Sequence, residues 1–97
     1  MHRYELMVVL SPQVADESVT DTVDQLVRRP VETRGGAYLE ANVWGRRKLT
    51  YPIKRQTEGN YVLTQFQLEP QHTKELERGL LISEEVIRHL LIRLDEE

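Results

Sequence analysis

Five cations and no anion fall within ten consecutive positions of this chain: Arg46, Arg47, Lys48, Lys54 and Arg55, in the stretch WGRRKLTYPIKR that spans residues 44–55. The chemistry available to such a set is the gripping of anions. Guanidinium groups hold phosphate oxygens through paired hydrogen bonds, and lysine acts as a mobile point charge. Contacts of this kind position a protein on a nucleic acid and carry little sequence information. An alternative needs no ligand, because lysine and arginine on an edge strand also discourage edge-to-edge aggregation. The residues alone leave both readings standing.

Other constellations offer less. His2, His72 and His89 lack the His-x-x-x-His spacing of a helical metal site, and with no cysteine in the chain a zinc site would need three scattered elements to converge. No metal and no cofactor are expected. Glu84-Glu85 and Asp95-Glu96-Glu97 read as a solvated helix end and tail, not as paired acid and base. Gly35-Gly36 follows a helix instead of preceding one, so it reads as a helix stop and not as a phosphate cradle. His89 alternates with Arg88 along a strand, and reads as a partly buried, hydrogen-bonded histidine before it reads as an RNA contact. No catalytic set assembles, and the chain is not expected to be an enzyme.

Charge is unevenly spread over the 97 residues, whose formal net charge is −3. Residues 1–45 sum to −3, residues 46–55 to +5 and residues 56–97 to −5. A local stripe on an acidic body suits docking on one face better than general polyanion binding. The length is that of one domain with one core, spanning residues 1–97. The chain has neither an apolar run of membrane-spanning length nor the layout of a signal peptide, so it reads as soluble and unprocessed, and its lack of cysteine fits a reducing, cytoplasmic setting.

The elements that must position the stripe follow from periodicity. Tyr4, Leu6, Val8 and Leu10 alternate with Arg3, Glu5, Met7 and Val9 as a first strand ended by Ser11-Pro12. From Asp16, the apolar residues Val19, Val23, Leu26, Val27 and Val31 form one helical stripe. Pro30 removes a helical hydrogen bond at a cost of about 3 kcal/mol and predicts a kink or an early end near Arg29. Residues 37–53 read as one long second strand bent at Gly45, Thr57-Glu58-Gly59-Asn60 as a turn, and Tyr61 to Leu68 as a third strand. A second helix opens at Pro70, and Val86 to Leu94 is a fourth strand, apolar at nearly every position.

The order βαββαβ predicts an α+β, ferredoxin-like sandwich: a four-stranded antiparallel sheet with two helices on one face. Parity then sends Val62, Thr64, Phe66 and Leu68 under the helices with Tyr4, Leu6, Val8 and Leu10. Met7, Val9, Tyr61 and Leu63 point to the open face, a candidate docking surface. Two activities found on this topology are not supported. The junction Ser11-Pro12-Gln13 has no glycine-rich anion loop of the acylphosphatase kind, and the third strand, Glu-Gly-Asn-Tyr-Val-Leu-Thr-Gln-Phe, lacks the base-stacking signature of RNA recognition motifs.

The string Trp44-Gly45-Arg46-Arg47-Lys48-Leu49-Thr50-Tyr51-Pro52-Ile53 closely resembles the signature of the bacterial small-subunit ribosomal protein six family, roughly Trp-Gly-Arg-Arg-x-Leu-Ala-Tyr-Pro-Ile. The resemblance extends to Arg3-Tyr4-Glu5, to Arg34-Gly35-Gly36, to Gly59 with Tyr61, and to the closing residues 86–93. It implies a structural, ribosome-bound protein that joins ribosomal protein eighteen as a heterodimer and binds the central domain of 16S ribosomal RNA. Carried onto matching positions, Arg3, Arg46, Arg47 and Lys48 become RNA-binding candidates, extended by Lys54 and Arg55; Met7, Val9, Trp44, Tyr61 and Leu63 are the partner-binding candidates. A lone tryptophan at a strand bend can equally cover the edge of a core. Pro30 departs from the family pattern. The competing expectation is a self-associating or small-molecule-sensing module that uses the open face.

Overall fold

The computed structural model describes residues 1–94; the acidic tail Asp95-Glu96-Glu97 lies outside the described residues. The strands are β1 (His2–Leu10), β2 (Ala37–Ile53), β3 (Gln56–Leu68) and β4 (Val86–Arg93). They form one antiparallel sheet in the order β2-β3-β1-β4. Between β1 and β2 runs a helical rod made of α1 (Val19–Val23), a π turn (Asp24–Arg28) and α2 (Arg29–Thr33); α3 (Thr73–Ile82) connects β3 to β4. This is the expected βαββαβ sandwich.

Alternation along β1 builds the core. Tyr4, Leu6, Val8 and Leu10 are buried with Val62, Phe66 and Leu68 of β3, under Val19, Val23, Val27 and Val31 of the rod and Leu76 and Leu80 of α3. Thr64, between Val62 and Phe66, is satisfied by donating its hydroxyl proton to the Leu6 carbonyl at 3.0 Å.

Of the two expectations at Pro30, the early end is not seen: the rod continues to Thr33, with a π turn immediately before the proline. Valines repeating every four residues overshoot a 3.6-residue turn by about 40° per step. The wider π turn absorbs part of that drift, so Val31 stays fully buried. The Arg29 N–H reaches back five residues to the Asp24 carbonyl, so the ladder has already shifted register when the chain arrives at Pro30. Pro30 then sits in the first turn of α2, where its missing N–H costs least. The rod stops as the sequence suggests: Gly35, at φ +80°, and Gly36 donate to the carbonyls of Glu32 and Val31 at 3.1 and 2.9 Å, a Schellman closure.

The hairpin corrects a second expectation. The reversal is at Lys54-Arg55, between the paired residues Ile53 and Gln56, and not at Thr57–Asn60, which belong to β3. Lys54 and Arg55 both hold left-handed backbone, φ 50° and 67°, as a two-residue turn matching the strand twist requires. Gly59 is a glycine for another reason. A Cβ there would stand 2.6 Å from Val9 Cγ1 and 3.2 Å from Ile87 Cδ1, so it marks a close approach of strands and not a turn.

Tyr38 of β2 packs beside the rod with the Arg28 guanidinium 5.7 Å from its ring centre, and its hydroxyl has no hydrogen-bond partner among the described residues. Burial, seconded by the negative charge of Asp24, pushes its pKa from 10.0 up to about 12, with Arg28 opposing. The neutral phenol is thus favoured by folding: its contribution is complete below pH 10.0 and is lost as pH rises through about 12. Tyr38→Phe is expected to flatten that alkaline loss while leaving stability at neutral pH nearly unchanged, measured as denaturant midpoints across this range. Relief of the left-handed strain should make Arg55→Gly more stable by about 1 kcal/mol in urea unfolding.

Candidate nucleic-acid and partner interface

Strand alternation divides the basic stretch. Gly45, Arg46, Arg47 and Lys48 pair in unbroken register with Tyr61, Asn60, Gly59 and Glu58. Residues facing one another across an antiparallel pair share a side of the sheet. Arg46 and Lys48 therefore lie on the helix side, and Arg47 lies on the open side. Gly45, with φ +87°, sits at a register shift on β2, the bend that the sequence suggested. A further shift between Lys48 and Ile53 sets five residues of β2 against two of β3, so the end of the hairpin curves away from a flat ladder.

The six candidate cations differ in their surroundings. Arg46 donates through Nε to Asp16 Oδ1 at 3.1 Å, through Nη1 to Glu58 Oε1 at 3.3 Å and through Nη2 to the Pro12 carbonyl at 2.7 Å. The Arg47 guanidinium stacks 5.2 Å from the Trp44 ring centre, an arrangement that leaves its edge donors available to an anion. Lys48 and Arg55 are exposed and make no ion pair among the described residues. Lys54 Nζ donates to the Val86 carbonyl at 3.2 Å, tying the turn to the start of β4. Arg3 stands apart. It pairs in register with Gln67 and donates to Gln65 Oε1 at 3.1 Å, seven strand residues, roughly 24 Å, from the row of Leu10 and Asn60 beside Arg46. The structure gathers the hairpin cations and leaves Arg3 at the other end of the sheet.

The open face is broader than the sequence indicated. Met7 sits between Leu63 of β3 and Leu90 of β4, and Glu5 pairs with Ile92. Leu90 and Ile92 are 52% and 45% exposed and extend the apolar surface that Met7, Tyr61 and Leu63 begin half-buried. Neither was named from sequence, because β4 is apolar on both faces and only its register against β1 shows which residues remain uncovered. Val9, expected on this face, is 3% exposed and forms its floor beside Gly59 and Ile87. Trp44 lies on the outer strand β2, 44% exposed.

Two hollows mark the open face. One of about 170 Å³ is bounded by Met7, Val9, Tyr61, Arg88 and Leu90. The other, about 370 Å³, lies under the hairpin end among Leu49, Tyr51 and Ile53 and shares Tyr61 and Arg88 with the first. His89 is on the opposite side, 3.0 Å from Glu77 Oε1 of α3, where it ties helix to sheet. At the foot of the rod, Arg34 holds Glu75 of α3 at 3.0 and 2.5 Å and keeps its carboxyl below the usual carboxylate range. These pairs fasten the helical layer. Among the described residues no three His, Asp or Glu side chains gather as metal ligands, and no helix is long and apolar enough to cross a membrane.

Known proteins with this sequence pattern and this fold agree. The family model described as Ribosomal protein S6 matches residues 3–93. Small ribosomal subunit protein bS6 of Caldanaerobacter subterraneus subsp. tengcongensis is 42% identical over 96 residues, covering 99% of this chain and 100% of that protein. The bS6 of Desulforamulus reducens is 38% identical with the same coverage, and that of Leifsonia xyli subsp. xyli is 40% identical, covering 99% of this chain and 74% of the relative. In three dimensions, the crystal structure of 30S ribosomal protein S6 from Thermotoga maritima superposes with a TM-score of 0.87 at 30% identity, over 96% of this chain and 87% of that one. The C-terminal domain of MgtC from Mycobacterium tuberculosis shares the fold alone, with a TM-score of 0.63 at 8% identity over 98% and 89% of the two chains. With a motif, a register and a bent basic hairpin all accounted for over nearly its full length, the chain belongs to the ribosomal protein S6 family.

Proposed function

We propose that the chain is a structural, non-catalytic component of the small ribosomal subunit that binds the central domain of 16S ribosomal RNA as a heterodimer with ribosomal protein eighteen. The observation that carries this reading is the hairpin of β2 and β3. It ends in a Lys54-Arg55 turn held in left-handed backbone, a place where Asn-Gly would be less strained. Lys54 also ties the turn to β4, but a strained, exposed Arg55 is better explained by a ligand than by stability. Arg47 and Lys48 on the two sides of β2, with Arg55 at the tip, supply phosphate contacts; Lys54 adds charge beside them, and Arg3 serves a separate contact at the far end of the sheet.

The open face supplies the protein–protein contact. Met7, Tyr61 and Leu63, extended by Leu90 and Ile92 and floored by Val9, form an apolar surface on a body whose net charge is negative, with Trp44 beside the hairpin. Because the cations are confined to one region, RNA affinity of the chain alone should be low and should rise when the partner adds its own phosphate contacts.

Two measurements test these halves separately. Binding of the heterodimer to central-domain RNA, followed against salt, is expected to lose about 0.7 to 0.9 from the log–log slope for each phosphate contact removed. Arg47→Ala/Lys48→Ala should therefore lower the slope by roughly 1.4 to 1.8; an unchanged slope would remove both residues from the interface. Leu90→Asp/Ile92→Asp, at positions already exposed, should leave the fold intact and weaken association with ribosomal protein eighteen by tenfold or more in titration calorimetry. Undiminished association would move the partner surface off the open face.

A further inference from the structure

Of the six candidate cations, Arg46 is the one whose three guanidinium nitrogens all have acceptors among the described residues. We infer that it is a positioning residue of the basic hairpin and not a phosphate ligand, an inference that rests on the RNA-binding reading of Arg47 and Lys48. Its Nε, Nη1 and Nη2 each have an acceptor, at 3.1, 3.3 and 2.7 Å. The acceptors come from three places in the chain. Pro12 lies just past β1, Asp16 opens the turn before α1, and Glu58 lies on β3 across from Lys48. One guanidinium thus fastens the β1–α1 connection to the outer hairpin, next to the left-handed Gly45 and two residues from Trp44.

Electrostatics points the same way. The charge of Arg46 is offset by Asp16 and Glu58, so it attracts a phosphate less than an isolated arginine would. Three of its five N–H donors are bonded to two carboxylates and a carbonyl, which leaves one proton on each Nη and holds the guanidinium in an orientation set by the fold. Arg47 faces the other side of the sheet and has no such competitors among the described residues. The division of labour follows: Arg46 fixes the bend at Gly45, and the fixed bend holds Trp44 and the Arg47 stacked on it in one orientation for the ligand. A preset orientation spares the entropy of ordering a long cationic side chain at the moment of binding.

The inference makes a prediction opposite in sign to simple charge counting. Asp16→Asn/Glu58→Gln removes two negative charges beside the basic stretch, and by charge alone would tighten RNA binding. With Arg46 as a fastener, that double variant is expected to bind central-domain RNA several-fold more weakly, with the salt slope of wild type retained. Arg46→Ala is expected to behave likewise. Trp44, the sole tryptophan, reports the bend directly: its emission should shift in the same direction in both variants, in free protein held well below its unfolding transition. Tighter RNA binding by the carboxylate variant, a slope lowered by about 0.7 to 0.9 in Arg46→Ala, or unshifted emission in both would overturn the inference. The emission measurement needs no RNA. If wild type itself does not bind the RNA, the proposed function fails while the fastening role is still decided.

Discussion

Every surface of this molecule is set by β1, which is hydrogen-bonded along both edges, to β3 on one side and β4 on the other. A strand paired twice has no freedom to slip, because a shift by one residue would carry Leu6 and Val8 out of the core and bring Glu5 and Met7 into it. From that constraint come the buried row under the helices, the uncovered row of Met7, Leu63, Leu90 and Ile92, and the close approach of Val9 to Gly59. The helices are fitted to this frame. The π turn in the rod keeps four-residue valine spacing aimed at a sheet that cannot move to meet it.

The outer hairpin is built on different terms. β2 lies at the edge of the sheet, pairs only with β3, and changes register three times. Bulges on an edge strand interrupt the continuous ladder that would invite another chain, and they re-aim side chains. Both effects apply to the basic stretch. The protective role of charges at an edge and their role toward a ligand are therefore compatible, and the left-handed Arg55 is the point where protection alone gives no account of the residue chosen.

Charge and position separate within a motif that reads as uniform. Arg46, Arg47 and Lys48 are adjacent in the chain, yet period-two alternation places them on opposite sides of the sheet, and a register partner, Glu58, makes Arg46 part of the fold. Of these three, Arg47 is the one that stands over an aromatic ring among the described residues. A carboxylate twelve residues away and another thirty residues away decide what one guanidinium is free to do.

The sequence by itself determined the order of elements, the buried rows, the end of the rod at Gly35-Gly36, the bend at Gly45 and the family. All of these rest on local periodicity, on residues with distinctive backbone preferences, or on a contiguous motif. The turn position was misread because Gly59-Asn60 carries turn chemistry while Lys54-Arg55 does not. Glycine was needed at 59 for space beside Val9, and that need exists only once β1 and β3 are paired. The sequence flagged the irregularity near Arg29, but a rule about proline alone does not say that a π turn just before it lets the rod continue. What only the tertiary structure decided is which groups are left over: Leu90 and Ile92 uncovered, Val9 covered, Arg3 remote from the other cations, and Arg46 engaged. Exposure and pairing depend on neighbours far away in the chain, and long-range register, which no local pattern encodes, brings those neighbours together.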